Sequence, residues 1–292
     1  HADFELHNIK EIDVEAQTFE FNGVLTFTWL DKRQAFDPAE EGVNEKVYQG
    51  NFQFNETSPS WFPQEILVNK SGLYEKDAVV LRALPDGTQT LIQTVNAVAK
   101  SEINVRRFPF DRHRLMAVFE VLGFDDSEVK LQAIQESTST PDDKVLEPQW
   151  DIQEIRLSNR IRSASYTGKR GDATAFVVSV VAKRNPLFIM RLVVIPLTVI
   201  VLLSFSVFWM ERSSVGDRIN ISFIGILTGV AYQIVMSDFL PQISYVTLIN
   251  AFLNISFLMM CATVVINLVV GALDKKQRFE RGAFIDRRCR WL

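Results

Sequence analysis

The chain has 292 residues, a net charge of −4 and two cysteines. That length allows two domains of ordinary size, and so small a charge lacks the basic excess that a nucleic-acid partner requires. Both cysteines, Cys261 and Cys289, lie in the back of the chain, so residues 1–185 have no disulfide.

Residues 1–185 read as all-β. Short alternating runs recur at 23–29, 78–84, 89–99, 115–121 and 175–182, each bounded by turn residues. Pro85-Asp86-Gly87-Thr88 between two of them predicts a tight hairpin turn. Many short strands at this spacing predict a β-sandwich. Segments 137–143 and 166–172 read as exposed loops, and Asn55-Glu56-Thr57 and Asn69-Lys70-Ser71 fit the glycosylation pattern. His1, His7 and His113 are scattered without the spacing of a metal pair, and no nucleophile motif or phosphate-binding glycine loop is present. The expectation is no enzyme, no metal and no cofactor.

Charges are dense as far as Arg191 and sparse from Leu192 to Leu273. Three uncharged stretches follow, long enough at about 20 residues each to cross a bilayer. They predict membrane spans at about 186–210, 215–237 and 245–273. The link between the first two spans carries Arg212 and Arg218, and seven Lys and Arg residues follow the third span. The link 239–244 carries no basic residue. The positive-inside rule then puts the first link and the tail in the cytoplasm and the β-domain outside it.

The second span is unlike its neighbours. It carries Asn220, Ser222, Thr228, Gly216, Gly225 and Gly229, with Asp217 and Asp238 at its ends. Small and polar residues in a span mean close helix packing, a wet lumen, or both. Asp217, Asn220, Ile224, Leu227, Ala231, Ile234 and Asp238 step by three and four residues onto one helix face. A lipid-facing stripe that ends in two carboxylates would be costly, so a lumen is favoured. Asp217 has an alternative reading, as an acid paired with the adjacent Arg218.

Several segments then resemble one family, the pentameric ligand-gated ion channels. The resemblance rests on Asp13-Val14-Glu15-Ala16-Gln17, on Trp29-Leu30-Asp31-Lys32-Arg33 and on Trp61-Phe62-Pro63 with Asn69 beyond it. It continues through Phe108-Pro109-Phe110-Asp111, Gln149-Trp150-Asp151-Ile152 and Arg184-Asn185-Pro186-Leu187-Phe188 with Ile195-Pro196. In animal receptors two cysteines flank the F-P-F-D loop. Here Ser101 and Leu115 stand in those places, so the prokaryotic members are the nearer likeness. The family has four spans, and a fourth is expected to begin at about 287–292.

The resemblance implies an immunoglobulin-like ligand-binding β-sandwich over 1–185 and a helical transmembrane pore domain over 186–292. It implies a homopentamer in the plasma (inner) membrane that conducts monovalent cations when a small-molecule agonist, of unknown identity, binds between subunits. Asn220 would form a polar ring, and Ile224, Leu227, Ala231 and Ile234 an apolar stretch able to gate by dewetting. Rings of Asp217 and Asp238 would favour cations at the two mouths. The ligand site would take Val68, Leu122, Phe124 and Tyr166 from one face, with Trp29 and Arg82 opposite. Trp29, Phe124 and Tyr166 are so far apart in sequence that a subunit interface is expected to bring them together. Glu15, Asp111, Arg184 and Pro241 would couple the two domains. A membrane-anchored binding or adhesion protein is the rival reading, and it leaves the polar second span unexplained.

Overall fold

A computed structural model describes residues 1–50, 61–134, 138–139, 149–164, 166, 171–210 and 215–289. The chain divides into two units, His1–Asn104 with Arg112–Arg184, and Val105–Asp111 with Asn185–Leu292. The F-P-F-D segment makes its contacts with the helical unit.

The first unit contains two antiparallel sheets of five strands. One takes the order β1-β2-β6-β5-β3, from Ala2–Asp13 (β1), Thr18–Leu30 (β2), Lys46–Gln49 (β3), Lys70–Ala83 (β5) and Thr88–Lys100 (β6). The other takes the order β4-β7-β10-β9-β8. Its strands are Glu65–Leu67 (β4), Arg112–Val121 (β7), Thr138–Ser139 (β8), Trp150–Ser163 (β9) and Asp172–Arg184 (β10). In β2 and β6 burial alternates residue by residue, as expected of strands with one face on a core. Phe4, Phe19, Phe21, Phe27, Phe119 and Phe176 are buried, and the Phe4 ring lies 5.9 Å from Phe21 and 6.0 Å from Phe119. All five strands expected from alternation are present, each longer than its apolar core. Two further strands, β1 and β9, alternate over short stretches such as Ala2-Asp3-Phe4-Glu5-Leu6, interrupted by register shifts.

The turn between β5 and β6 forms as its residues dictate. The Asp86 carboxylate accepts from the Thr88 backbone N–H at 2.8 Å and from its hydroxyl at 3.0 Å. These bonds hold the Asp86 carboxyl below the usual carboxylate range. Gly87 has φ +90°, and a Cβ there would lie 2.6 Å from the Asp31 carbonyl. Left-handed backbone and close approach together require glycine. The Asn55 sequon and the 137–143 loop lie largely outside the described residues.

Among the described residues of the second unit, three helices are long and apolar enough to cross a membrane: Leu187–Trp209, Val215–Ser237 and Leu248–Lys275. A shorter helix, Phe279–Cys289, follows. The first helix winds into a π-helical turn at Met190–Val194, just before Pro196. Proline has no N–H, so Pro196 offers no donor to the Leu192 carbonyl four residues earlier. The Tyr232 hydroxyl of the second helix donates to that carbonyl.

The small residues of the second helix make room for its neighbours. A Cβ at Gly225 would meet the Ser204 hydroxyl at 2.9 Å, and one at Gly229 would meet Met260 at 2.4 Å. Ser222 and Asn267 are buried and hydrogen-bonded at 2.9 Å. Gly225, Gly229 and Ser222 thus serve close packing, one of the two roles open to small residues in a span.

The segment Val105–Asp111 holds the start of the third helix. The Val105 N–H donates to the Tyr245 hydroxyl at 3.0 Å, and the Leu248 N–H donates to the Arg106 carbonyl at 2.9 Å. The Arg106 guanidinium lies 5.6 Å from the Tyr245 ring centre. Thr247 caps the same helix by accepting from the Asn250 N–H.

Candidate pore face and ligand-binding site

The second helix has two opposite faces. Arg218, Ser222, Gly229 and Met236 are buried along one. The other carries Asp217, Asn220, Ile224, Leu227, Ala231 and Ile234, with Asp238 in the turn just past the helix end, and all seven are exposed. Leu227 is 71% exposed, Ile234 66% and Ile224 62%. At about 100° per residue the two faces lie roughly half a turn apart. The helix therefore packs on its own unit with its small residues and presents the whole stripe away from it.

Asp217 does not pair with Arg218. The Arg218 guanidinium is buried and makes a two-pronged ion pair with Asp286, at 2.9 and 3.1 Å, on the helix Phe279–Cys289. That removes the reading of Asp217 as half of a local ion pair. It also shows Arg218 as a bundle residue rather than a free link charge. Arg212 lies outside the described residues.

In the first unit Trp29, Trp61 and Phe124 form one half-buried aromatic cluster. The Trp61 ring lies 5.9 Å from Trp29 and 5.7 Å from Phe124, edge-to-face with both. Trp29 and Phe124 were expected to meet only across a subunit interface. Trp61 brings them together within one chain, because it enters β4 beside the end of β7. Trp61 was visible as a motif residue but carries no sign of its partners.

The other ligand-site residues are spread around this cluster or away from it. The Val68 N–H donates to the Val118 carbonyl at 2.8 Å. Tyr166 is 50% exposed at a bend. Arg82 makes a two-pronged bond to Glu45 at 3.0 and 3.1 Å on a partly exposed edge. Leu122 lines a cavity of about 500 Å³ with Phe62, Glu65, Tyr74, Lys76 and Gln93. In its wall the Tyr74 hydroxyl donates to the Glu65 carboxylate at 3.1 Å, and Lys76 pairs with the same carboxylate. Burial, reinforced by the Glu65 charge, pushes the Tyr74 hydroxyl far above the ordinary tyrosine range. Buried Glu120 on β7 pairs with Arg162 on β9 at 3.2 Å. Burial raises the Glu120 carboxyl, against the lowering effect of Arg162.

The proposed coupling residues divide between the units. In the first, the Glu15 N–H donates to the Asp13 carboxylate in the exposed β1–β2 turn. Arg184 is buried, with its guanidinium 4.0 Å from the Trp150 ring centre, and His113 packs on the same ring. In the second unit Asp111 is buried beside buried Phe108, and Pro241 is half-buried after Leu240.

Two family profiles cover nearly the whole chain. That of the neurotransmitter-gated ion-channel ligand binding domain matches residues 1–186, and that of the neurotransmitter-gated ion-channel transmembrane region matches residues 193–292. A proton-gated ion channel of Gloeobacter violaceus is 25% identical over 96% of this chain and 74% of its own length. The gamma-aminobutyric acid receptor subunit rho-2 of Homo sapiens is 24% identical over 96% of this chain and 59% of its own. Rho-1 of Homo sapiens is 22% identical over 94% and 56%. The chain thus spans under two thirds of the length of the receptor subunits. With both profiles matched in order, and with a two-sheet unit followed by three membrane-length helices, the chain belongs to the neurotransmitter-gated, pentameric ligand-gated ion-channel family.

Proposed function

We propose that the chain is one subunit of a homopentameric, ligand-gated, cation-selective channel of the plasma (inner) membrane, with its first unit outside the cytoplasm. The second helix of each subunit lines the pore. The observation that carries this reading is the stripe from Asp217 to Asp238, exposed throughout on the side of the helix opposite its packing face. A subunit cannot enclose a lumen with one helix, and a ring closes it. Lipid is a poor environment for Asn220 and two carboxylates, and a water-filled lumen is a good one. The apolar residues between them form the gate, and the carboxylates attract permeant monovalent cations. The adhesion reading gives this stripe no task.

The agonist site lies beside the aromatic cluster at a subunit interface, with Trp29 and Phe124 supplied together by one chain, supported by Trp61, and with Val68, Arg82, Leu122 and Tyr166 around them. Glu15, Asp111, Arg184 and Pro241 transmit binding to the pore. Protons are a second stimulus with an observation in their favour. The Gloeobacter violaceus relative is a proton-gated channel, and Glu120 is a buried carboxylate whose pKa burial raises.

Two measurements test the reading. Native mass spectrometry of the full-length protein in detergent is expected to give five copies, and a stable monomer or dimer overturns the channel. In planar bilayers under a sodium chloride gradient the current is expected to reverse near the sodium potential, and reversal at the chloride potential overturns the acidic-ring assignment.

A further inference from the structure

The second helix begins with two adjacent, opposite charges in very different surroundings. Asp217 is exposed on the stripe. Arg218, turned about 100° round the helix, is 1% exposed. Two guanidinium N–H groups reach the two oxygens of Asp286 at 2.9 and 3.1 Å, and the group lies 6.0 Å from the Phe208 ring centre. Phe208 and Cys289 form a small buried core, with Ile221, Ile266 and Ile285 packed against it. The pair is thus walled by apolar side chains from three helices and the end of the first.

A guanidinium does not lose its proton in a protein, so Arg218 carries its charge wherever it sits. In a ring of subunits every Asp217 has an Arg218 one residue away. If both faced water at one mouth, their fields would cancel for a passing ion. A two-pronged carboxylate partner holds the arginine in place and offsets its charge at contact distance. Removing that partner leaves a long, flexible cation in an apolar wall near the start of the helix, and such side chains extend until the head is hydrated.

We propose that Asp286, which does not face the pore, is a selectivity-determining residue. It neutralises Arg218 and keeps it off the stripe, so that Asp217 sets the field at that end of the pore. The proposal rests on the reading of the stripe as the lining of a cation-selective pore.

The test is reversal potential in a sodium chloride gradient, with the full-length channel in planar bilayers. Wild type is expected to reverse near the sodium potential. Asp286→Asn is expected to shift reversal toward chloride, with a several-fold fall in the sodium-to-chloride permeability ratio, because an unpaired charge now acts on the mouth through water. Asp286→Glu, which keeps the carboxylate, is expected to stay near wild type. The double variant Arg218→Gln/Asp286→Asn is expected to regain the sodium preference, since the stray charge is gone. A purely structural role for the pair would lower expression or open time without moving reversal. Asp286→Asn with a wild-type reversal potential, or a double variant as shifted as the single, overturns the proposal. Where Asp286→Asn chains do not assemble alone, co-expression with wild type gives mixed rings. Their reversal must then shift with the share of variant, and an unmoved potential overturns the proposal as well. Wild-type current reversing at the chloride potential would instead overturn the cation reading on which the proposal stands.

Discussion

The hydroxyl of Tyr232, on the second helix, donates to the carbonyl of Leu192, on the first. Leu192 is four residues before Pro196, which has no N–H to offer its carbonyl at the usual helical spacing. A carbonyl that a proline leaves without its usual donor in one helix is therefore bonded by a side chain of the next. The same two helices meet again where Gly225 accommodates Ser204.

Tyr232→Phe should expose that dependence. It removes the donor and leaves an unsatisfied carbonyl in an apolar site, which costs about 1–3 kcal/mol. Thermal or denaturant unfolding of the detergent-solubilised protein should show a loss of that size. Pro196→Ala in the Tyr232→Phe background should recover part of it, because an alanine N–H can bond Leu192 within the helix. Equal stability of wild type and Tyr232→Phe would mean the bond contributes nothing.

Leu227 is the residue on which the gate should turn. It lies mid-stripe and is the most exposed apolar residue of its helix, with Ile224 below and Ile234 above. A ring of leucines in a narrow pore excludes water, and opening must wet it. Moving a leucine-sized side chain between water and an apolar site is worth roughly 1.5–3 kcal/mol, and about 1.4 kcal/mol already changes the open–shut ratio tenfold. Leu227→Ser should raise agonist sensitivity tenfold or more, or give spontaneous current. Ile226→Ser, off the stripe, should do much less. The opposite ranking of the two variants would put the pore on another helix face.

Asp217 should set the sign of the permeant ion. Asp217→Lys should lower the sodium-to-chloride permeability ratio or the single-channel conductance, because it reverses a ring of charge at one mouth. Reversal potentials and conductance in single-channel records measure both. Neither changing would remove Asp217 from the pore.

The aromatic cluster predicts two separable effects. Trp61→Ala removes a half-buried ring in contact with both Trp29 and Phe124. It should cost about 2–4 kcal/mol of stability, toward the low end for a large aromatic truncated to alanine. Tyr166→Ala, at an exposed bend, should leave stability within about 0.5 kcal/mol. It should move the agonist response to higher concentration without changing single-channel conductance. An unchanged response would place the agonist elsewhere.

Glu120 gives the pH dependence a sign. Burial raises its carboxyl above the ordinary glutamate value of 4.5 in the folded protein. The folded state therefore binds a proton that the unfolded state has released, and Glu120 favours folding at low pH. Its contribution is complete below 4.5 and is lost as pH rises through the folded-state value. Glu120→Gln, which stays neutral, should flatten unfolding stability over that interval. At neutral pH the variant should be no less stable than wild type, because burial outweighs the Arg162 pair. A pH profile unchanged by the substitution would show that Glu120 does not titrate there.

Sequence alone determined a good deal here, and for identifiable reasons. Membrane-length helices follow from uncharged stretches, since lipid tolerates few charges and requires every backbone group to be bonded within the segment. The stripe from Asp217 to Asp238 follows from helical period, a local property of the chain. The turn at Asp86-Gly87 follows from side-chain geometry within a few residues. Contacts between residues far apart in the chain were settled only by tertiary structure. Nothing local distinguishes Arg218 as a link charge from Arg218 as the buried partner of Asp286, which is a whole helix away and becomes its neighbour only when the bundle packs. Trp61 and Phe124 likewise meet only once β4 pairs with β7. In β1 and β9 register shifts interrupt an alternation that charged residues on the solvent face otherwise make plain. Local period decides which face a residue takes, and packing decides what that face meets.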